Sequence, residues 1–335
     1  CQCGSPRTTG AARAQAAPAF QLPKTAERAA HAYGRVVRND STAAGAITGM
    51  KMKTIRVTHT TVYRYSCPVR FGEHRMMFRP RDSHDMDLID TRMVISPAAE
   101  VRWVHDVFGN SIAYASFAEE ADQLRFESEI LLQHFPYTAP AFQIDPVAEV
   151  YPFQYPADDM PDLMPSIMRR YPDAGNAIEQ WVKQFYEGTP VGTLKLLSAM
   201  THAIKAQFSY RAREQMGTQM PAETIASGSG TCRDYALLMI EALRTLGFAS
   251  RFVSGYLYDA AADVSPNGMV GGAATHAWVQ VYVPGAGWME FDPTNGIIGG
   301  ENLIRIAVTR SSSQSIPVQG TFAGPSNAFI GMDVD

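Results

Sequence analysis

The sequence predicts an α+β protein: an N-terminal antiparallel β-sandwich followed by a core that sets a buried helix beside antiparallel strands. Three observations predict it. Short runs rich in β-branched and aromatic residues recur between Thr54 and Ile130, separated by turn residues. A helical pattern that is apolar on most faces begins at Cys232 and stops at Gly247. After it, a strictly alternating run, a Pro-Gly turn and a return strand spell a hairpin from Thr275 to Asp292.

Composition sets the limits. A length of 335 residues suggests about two domains, with ample chain for a core. Apolar residues at 46% and charged ones at 19% are those of a globular protein rather than a disordered one. A net charge of -4 gives no general attraction to nucleic acid or to an anionic membrane. No apolar run approaches the roughly 18 residues of a spanning helix. Four cysteines are too few for a disulfide framework.

Residues 1–50 differ from the rest. They are rich in Ala, Thr and Gly, and carry six basic residues (Arg7, Arg13, Lys24, Arg28, Arg35, Arg38) against Glu27 and Asp40. The segment is therefore +4 and the remaining chain -8. It lacks the apolar stretch of a secretory signal. It reads as a disordered leader or translated upstream sequence, with the start at Met50 or Met52. A transit-like peptide and a lipoprotein beginning at Cys1 are the alternatives. Cys1 and Cys3 are two ligands, which do not close a zinc site.

The elements follow in order. Residues 54–59 and 61–65 alternate as strands, with further strands near 75–79, 90–95, 101–104, 111–117 and 123–130. Turns fall at Pro68, Pro80, Asp82-Ser83, Pro97 and Asp106–Asn110. Regular spacing of short strands suggests the sandwich, over 53–135. Arg79, Arg81, His84, Asp85 and Asp87 read as a solvated hairpin rather than a metal site, and Cys67 as a packing thiol. Eight prolines between 136 and 172 exclude long helices and central strands, so 136–190 is a linker with short helices. Helical patterns cover 174–185 and 192–208, the second with Leu194, Leu197, Met200, Ala203 and Ile204 on one face. The core is placed at 191–310, and 311–335 is a C-terminal strand or tail.

The chemistry concentrates after Pro221. Thr231 and Asp234 have capping-box spacing, and Gly247 suits the position past a helix end, so Cys232 stands in the first turn of a buried helix. A helix N-terminus stabilises an anion by about 0.3–1 kcal/mol, up to about 2 when partly buried. That lowers a thiol pKa by roughly one unit, too little to hold a stable thiolate at neutral pH without a neighbouring imidazolium.

The hairpin offers one. His276, Trp278, Gln280 and Tyr282 share one face of a strand, and Ala277, Val279, Val281 and Val283 the other. A turn centred on Gly285–Ala286 sets His276 opposite residue 295, a few positions beyond Asp292, near enough for contact across a twisted pair. A cysteine at a helix start, a strand histidine and a carboxylate on the paired strand meet the requirements of a nucleophilic triad. A zinc site from the same three residues lacks the close Cys or His pairs of structural zinc. Arg233 reads as an ion-pairing residue and Asp234 as a cap. Trp278 and Trp288 line either a cleft or the core.

At these residues the chain resembles the bacterial transglutaminase-like superfamily, whose members are often described as cysteine proteases. The blocks that carry it, in order, are Gly230-Thr231-Cys232-Arg233-Asp234, Arg251-Phe252-Val253-Ser254-Gly255-Tyr256, Thr275-His276-Ala277-Trp278 and Phe291-Asp292-Pro293-Thr294-Asn295-Gly296. Upstream, His59–Tyr65, Pro68-Val69 and Asp106-Val107-Phe108-Gly109-Asn110 resemble the β-rich domain that precedes the core in bacterial members. The resemblance implies a papain-like core, with Cys232 as nucleophile, His276 as base and acid, and Asp292 as orienter. Papain-like enzymes also use a glutamine upstream of the cysteine as an oxyanion donor. Gln215 and Gln219 are the candidates, although their spacing differs. The implied reaction is thiol-dependent acyl transfer on a peptide or protein amide, needing no cofactor or metal. Hydrolysis is the leading reading, isopeptide formation and a non-catalytic binding role the alternatives. The free nucleophile suggests a cytoplasmic location. Substrate identity and oligomeric state are not encoded legibly.

Overall fold

In the computed structural model the described residues are 52–135, 142–211, 217–258 and 275–335. Residues 1–50 and Gln215, named above, lie outside them, as does the loop 260–274 between the helix and the hairpin.

The first strand, β1 (Lys53–Phe71), is nineteen residues long. It joins the two runs the sequence separates and passes through Pro68 instead of turning there. Pairing with its neighbour lapses between Arg64 and Val69, and a proline without an N–H fits such an irregularity. After it come β2 (His74–Met76), β3 (Met86–Ser96), β4 (Ala99–His105), β5 (Ser111–Phe117) and β6 (Glu120–His134). The proline-rich stretch makes only short pieces: β7 (Val150–Tyr151) and helix α1 (Met160–Ile167), with Pro161 in its first turn.

Helix α2 (Ala177–Lys183), strand β8 (Val191–Gly192), helix α3 (Thr193–Gln207) and strand β9 (Ser209–Tyr210) follow. On α3, Leu196, Leu197, Met200, Thr201 and Ile204 are buried. Helix α4 (Pro221–Ser227) and β10 (Ser229–Gly230) lead into α5 (Cys232–Thr245). The core sheet then forms from β11 (Ser250–Leu257), β12 (Thr275–Val283), β13 (Gly287–Asp292), β14 (Ile297–Ile298) and β15 (Leu303–Thr309). Strands β16 (Val318–Gln319), β17 (Phe322–Ala323) and β18 (Phe329–Val334) close the chain.

The strands segregate into a sandwich and a core, in an α+β architecture. One sandwich sheet runs β17-β1-β6-β3, with β18 also paired to β1, and the other runs β16-β2-β5-β4. Between them pack Tyr65, Phe71, Met76, Phe78, Leu124 and Phe126. The chain end thus returns to the sandwich, where β18 lies antiparallel to Thr61–Tyr65. The core sheet runs β14-β13-β12-β11-β15. Its β12 face of Ala277, Val279, Val281 and Val283 packs with Leu238, Met239, Ala242 and Leu243 of α5. Each fully buried aliphatic side chain of this kind contributes about 1.5–3 kcal/mol, so α5 is held by the sheet rather than by helix propensity.

The sandwich seats against the core sheet. Ile55, Met86, Ile130 and Leu132 pack with Tyr256, Ile304 and Ile306. Asn110, from the Phe108-Gly109-Asn110 turn, clamps β15 by accepting from the Val308 N–H and donating to its carbonyl, both at 2.9 Å. Asp106 braces that turn through the Phe108 and Asn110 N–H groups. Asp85 is inside, not on a solvated hairpin, because Arg305 of β15 meets it at 2.6 Å.

Candidate active site

Cys232 is the first residue of α5 and is buried. The capping arrangement the spacing predicts is formed. The Asp234 carboxylate accepts the Thr231 N–H at 2.8 Å and the Thr231 hydroxyl at 2.9 Å. Its other oxygen accepts the Gln219 N–H at 2.6 Å, so one buried carboxylate fixes both the helix start and the loop beside it. Arg233 donates to the Ser312 carbonyl at 2.6 Å, with its guanidinium 4.9 Å above the Phe252 ring. It ties α5 to the segment after β15.

His276 and Asp292 come from neighbouring strands. Val279 pairs with Phe291 and Tyr282 with Trp288, so the hairpin turn is centred on Gly285, and the register differs by one residue from that of a turn centred between Gly285 and Ala286. Gly285 (φ 85) and Gly287 (φ 70) take left-handed conformations that make this turn possible. His276 therefore lies beyond the last pair of β12 with β13, Val279 with Phe291. Its Nε2 stands 2.9 Å from Asp292 Oδ2, with both side chains wholly buried.

The carboxylate is itself held. Oδ1 accepts the Thr294 N–H at 2.9 Å, and Oδ2 accepts the Asn295 amide at 2.8 Å. Burial opposes charge on His276, but the Asp292 charge and hydrogen bond, with Cys232 beside the ring, outweigh it and push its pKa up to about 10. Burial likewise opposes ionisation of Asp292, and His276 with the Asn295 and Thr294 donors holds its pKa below the ordinary value. The other ring nitrogen, Nδ1, is buried and has no hydrogen-bond partner among the described residues. Through it the ring has one side committed to a carboxylate and the other available beside a thiol.

The structure thus gathers Cys232, His276 and Asp292. Gln219 is placed differently: its amide donates to Ser227 Oγ at 2.9 Å and to the Ser229 carbonyl at 3.3 Å. Tyr210 is a residue the sequence reading passes over. Strand β9 lies parallel to β10, with Tyr210 beside Gly230, and its side chain lies near Cys232. Burial, then Cys232, pushes the Tyr210 pKa up to about 12, so it is a hydrogen-bond donor at neutral pH. The only local signal is an aromatic residue just past the end of α3. Trp278 is core, fully buried, whereas Trp288 lies under the Arg251 guanidinium, 3.7 Å from ring centre to charge. Among the described residues no group of three or more His, Cys, Asp or Glu side chains is arranged to hold a metal ion, and no helix is long and apolar enough to cross a membrane.

A β-sandwich joined to a core whose central helix begins at a cysteine, over a sheet that carries a buried His–Asp pair, defines a transglutaminase-like chain. Residues 55–133 match the bacterial transglutaminase-like N-terminal region, and residues 173–293 match the transglutaminase-like superfamily. The core, residues 173–293, belongs to that superfamily. An uncharacterized protein of Mycobacterium tuberculosis (strain H37Rv) is 28% identical over 295 residues, covering 84% of this chain and 91% of its own length. An uncharacterized protein of Mycobacterium leprae is 35% identical over 98 residues, 28% of this chain and 33% of that protein. A crystal structure of a candidate cysteine protease from Cytophaga hutchinsonii shares the fold with a TM-score of 0.61 at 16% identity, covering 84% of this chain and 92% of that one.

Proposed function

We propose that this protein hydrolyses amide bonds in peptides or proteins through Cys232, His276 and Asp292. The observation that carries the reading is the buried His276 ring, bonded to Asp292 at Nε2 and free at Nδ1 beside the thiol at the α5 start. The Cys232 sulfur attacks the amide carbonyl carbon, and the oxygen takes the negative charge. The backbone N–H of Cys232 and the Tyr210 hydroxyl are the donors offered to that charge. The C–N bond breaks as His276 gives its proton to the leaving amine, which leaves a thioester on Cys232. Water then attacks the thioester, His276 takes the water proton, and the acid departs as the thiol is restored. Asp292 keeps the ring oriented and supports its charge. A reducing compartment such as the cytoplasm keeps Cys232 usable.

The test is iodoacetamide labelling of Cys232 across pH in the parent and in His276→Ala, with the labelled peptide identified by mass. Fast labelling at pH 6 that the substitution slows strongly supports the reading. Labelling no faster than a free thiol overturns it. Incubation with a peptide library, with and without a primary amine, then separates hydrolysis from isopeptide formation by whether amine is incorporated.

A further inference from the structure

The face of the core sheet turned away from α5 carries a buried polar chain that amide chemistry does not require. It starts at Trp278, two residues past His276 on the same strand face. The indole is stacked on the imidazole, with centroids 6.1 Å apart and planes 23° from parallel. Beneath it is Gly255, the register partner of His276 on β11. A Cβ at Gly255 would come within 2.7 Å of Trp278 Cη2 and 2.0 Å of the Ile304 carbonyl oxygen. The indole is therefore seated on bare backbone. Its Nε1–H donates to one oxygen of Glu290. The other Glu290 oxygen accepts from Gln280 at 2.7 Å and from Arg305 at 3.1 Å. Arg305 in turn donates to both oxygens of Asp85, at 2.6 and 2.8 Å, and to the Ser83 hydroxyl at 3.1 Å. Asp85 belongs to the N-terminal sandwich, between β2 and β3.

Apolar side chains filling the same space would hold the two sheets together without desolvating charge. What this chain adds is direction. Glu290, Arg305 and Asp85 are each bonded on two sides, and the indole is held by its one bond to Glu290 and by its contacts with His276 and Gly255, so its plane is fixed. The imidazole needs such a reference. The Nε2 bond to Asp292 fixes one end of the ring but not its plane, and Nδ1 faces Cys232 usefully only in one orientation. Trp278 supplies the second constraint.

We propose that Trp278 is a positioning residue for His276, locked in plane by the Glu290–Arg305–Asp85 chain, so that the seating of the N-terminal sandwich sets the reactivity of Cys232. The proposal rests on the triad reading above. The groups that face His276 are Cys232 from α5, Asp292 from β13 and Trp278 from its own strand. Loosening the ring weakens its support of the thiolate, so the thiol retains its proton to higher pH.

The experiment follows the rate of iodoacetamide labelling of Cys232 from pH 5 to 9.5 in the full chain, for the parent and for His276→Ala, Trp278→Phe, Glu290→Gln and Asp85→Asn. Thermal midpoints are measured alongside. Trp278→Phe and Glu290→Gln are expected to move the midpoint of the rate profile up by about one pH unit, which slows labelling by up to about tenfold at pH values below the parent midpoint. The plateau at pH 9.5, where the thiolate forms unaided, stays at the parent value. Asp85→Asn moves the midpoint the same way by less. A profile that stays with the parent while thermal midpoints fall assigns the network to stability alone and overturns the proposal. If Trp278→Phe does not fold, the near-isosteric Glu290→Gln and Asp85→Asn decide the matter by the same criterion. An unmoved profile in His276→Ala instead overturns the triad reading, a distinguishable result.

Discussion

Asp292 holds His276 with one carboxylate oxygen, 2.9 Å from Nε2, and holds the end of its own strand with the other, which accepts the Thr294 N–H at 2.9 Å. One side chain thus orients the imidazole and is itself oriented by the Asp292–Asn295 turn. Asp292→Asn keeps the shape and removes the charge. Labelling of Cys232 at pH 6 is expected to fall at least tenfold. Stability should fall by about 3 kcal/mol, the low end for breaking a buried pair. The pH dependence fixes the sign. The folded pKa of His276 is raised from 6.5 to about 10, so the pair's contribution is complete below pH 6.5 and is lost as pH rises toward 10. Urea unfolding of the parent at pH 6 and 9.5 should show that loss, and Asp292→Asn should lack it.

Tyr210 gives a test of the oxyanion assignment. Tyr210→Phe keeps the ring beside Tyr235, 6.3 Å between centroids, and deletes the hydroxyl of a side chain that lies near Cys232. Removing one oxyanion donor typically costs about 100- to 1,000-fold in rate. Because Tyr210 is partly exposed, a loss of at least tenfold in kcat for peptide hydrolysis is expected, with the thermal midpoint unchanged. Gln219→Ala should leave kcat within about twofold, since its amide is committed to Ser227 and Ser229. The reverse ranking would return the donor role to the glutamine.

How much of this was legible depends on how far apart the partners lie in the chain. The α5 start was legible because the Thr231–Asp234 cap is local, three residues wide. The face of β12 was legible because alternation marks it residue by residue. The His276–Asp292 contact was foreseen to within one residue of register, since a short turn fixes it. Asp85 was misread because nothing near it in sequence shows that Arg305, 220 residues on, will neutralise it. Tyr210 comes near Cys232 only through the two-residue pairing of β9 with β10. The return of β18 to β1 was equally hidden. Its residues are mostly exposed, so no burial period marks them.

Glu241 and Arg244 carry the same lesson into stability. Their i, i+3 spacing suits a surface pair on a helix, yet both side chains are buried at 2.9 Å. Glu241 accepts the N–H groups of Arg170 and Tyr171, and Arg244 donates to the carbonyls of Ser166, Ser250 and Arg310. The pair joins α5 to the proline-rich segment and to the residues flanking the core sheet. Arg244→Met strands a buried carboxylate and is expected to cost about 3–5 kcal/mol. Adding Glu241→Gln should recover part of that loss, because the stranded charge is gone. Denaturant midpoints of the two single variants and the double variant measure the coupling. Simple additivity would mean the two side chains act independently.

His134 sets the acid limit in the sandwich. It closes β6 between Lys53 of β1 and Met86 of β3, is almost fully buried, and its Nδ1 has no hydrogen-bond partner among the described residues. Burial, with Arg305 and Lys53 nearby, outweighs the attraction of Asp85 and Glu301 and pushes its pKa down to about 4. Between pH 6.5 and 4 the unfolded chain therefore binds a proton that the folded one refuses, so stability falls as pH falls through that window. At 1.36 kcal/mol per unit, the loss from this residue is at most about 3–4 kcal/mol. His59 and His74, also pushed down by burial, act in the same direction. His276 is protonated in both states there and contributes no slope, while the low pKa values of Asp85 and Asp292 act only below the ordinary carboxylate range. His134→Gln should therefore flatten the decline in urea midpoint between pH 7 and 4.5 by a measurable share, while leaving the steeper loss below pH 4 in place. An equal decline in parent and variant would show that His134 finds a proton acceptor in the folded chain.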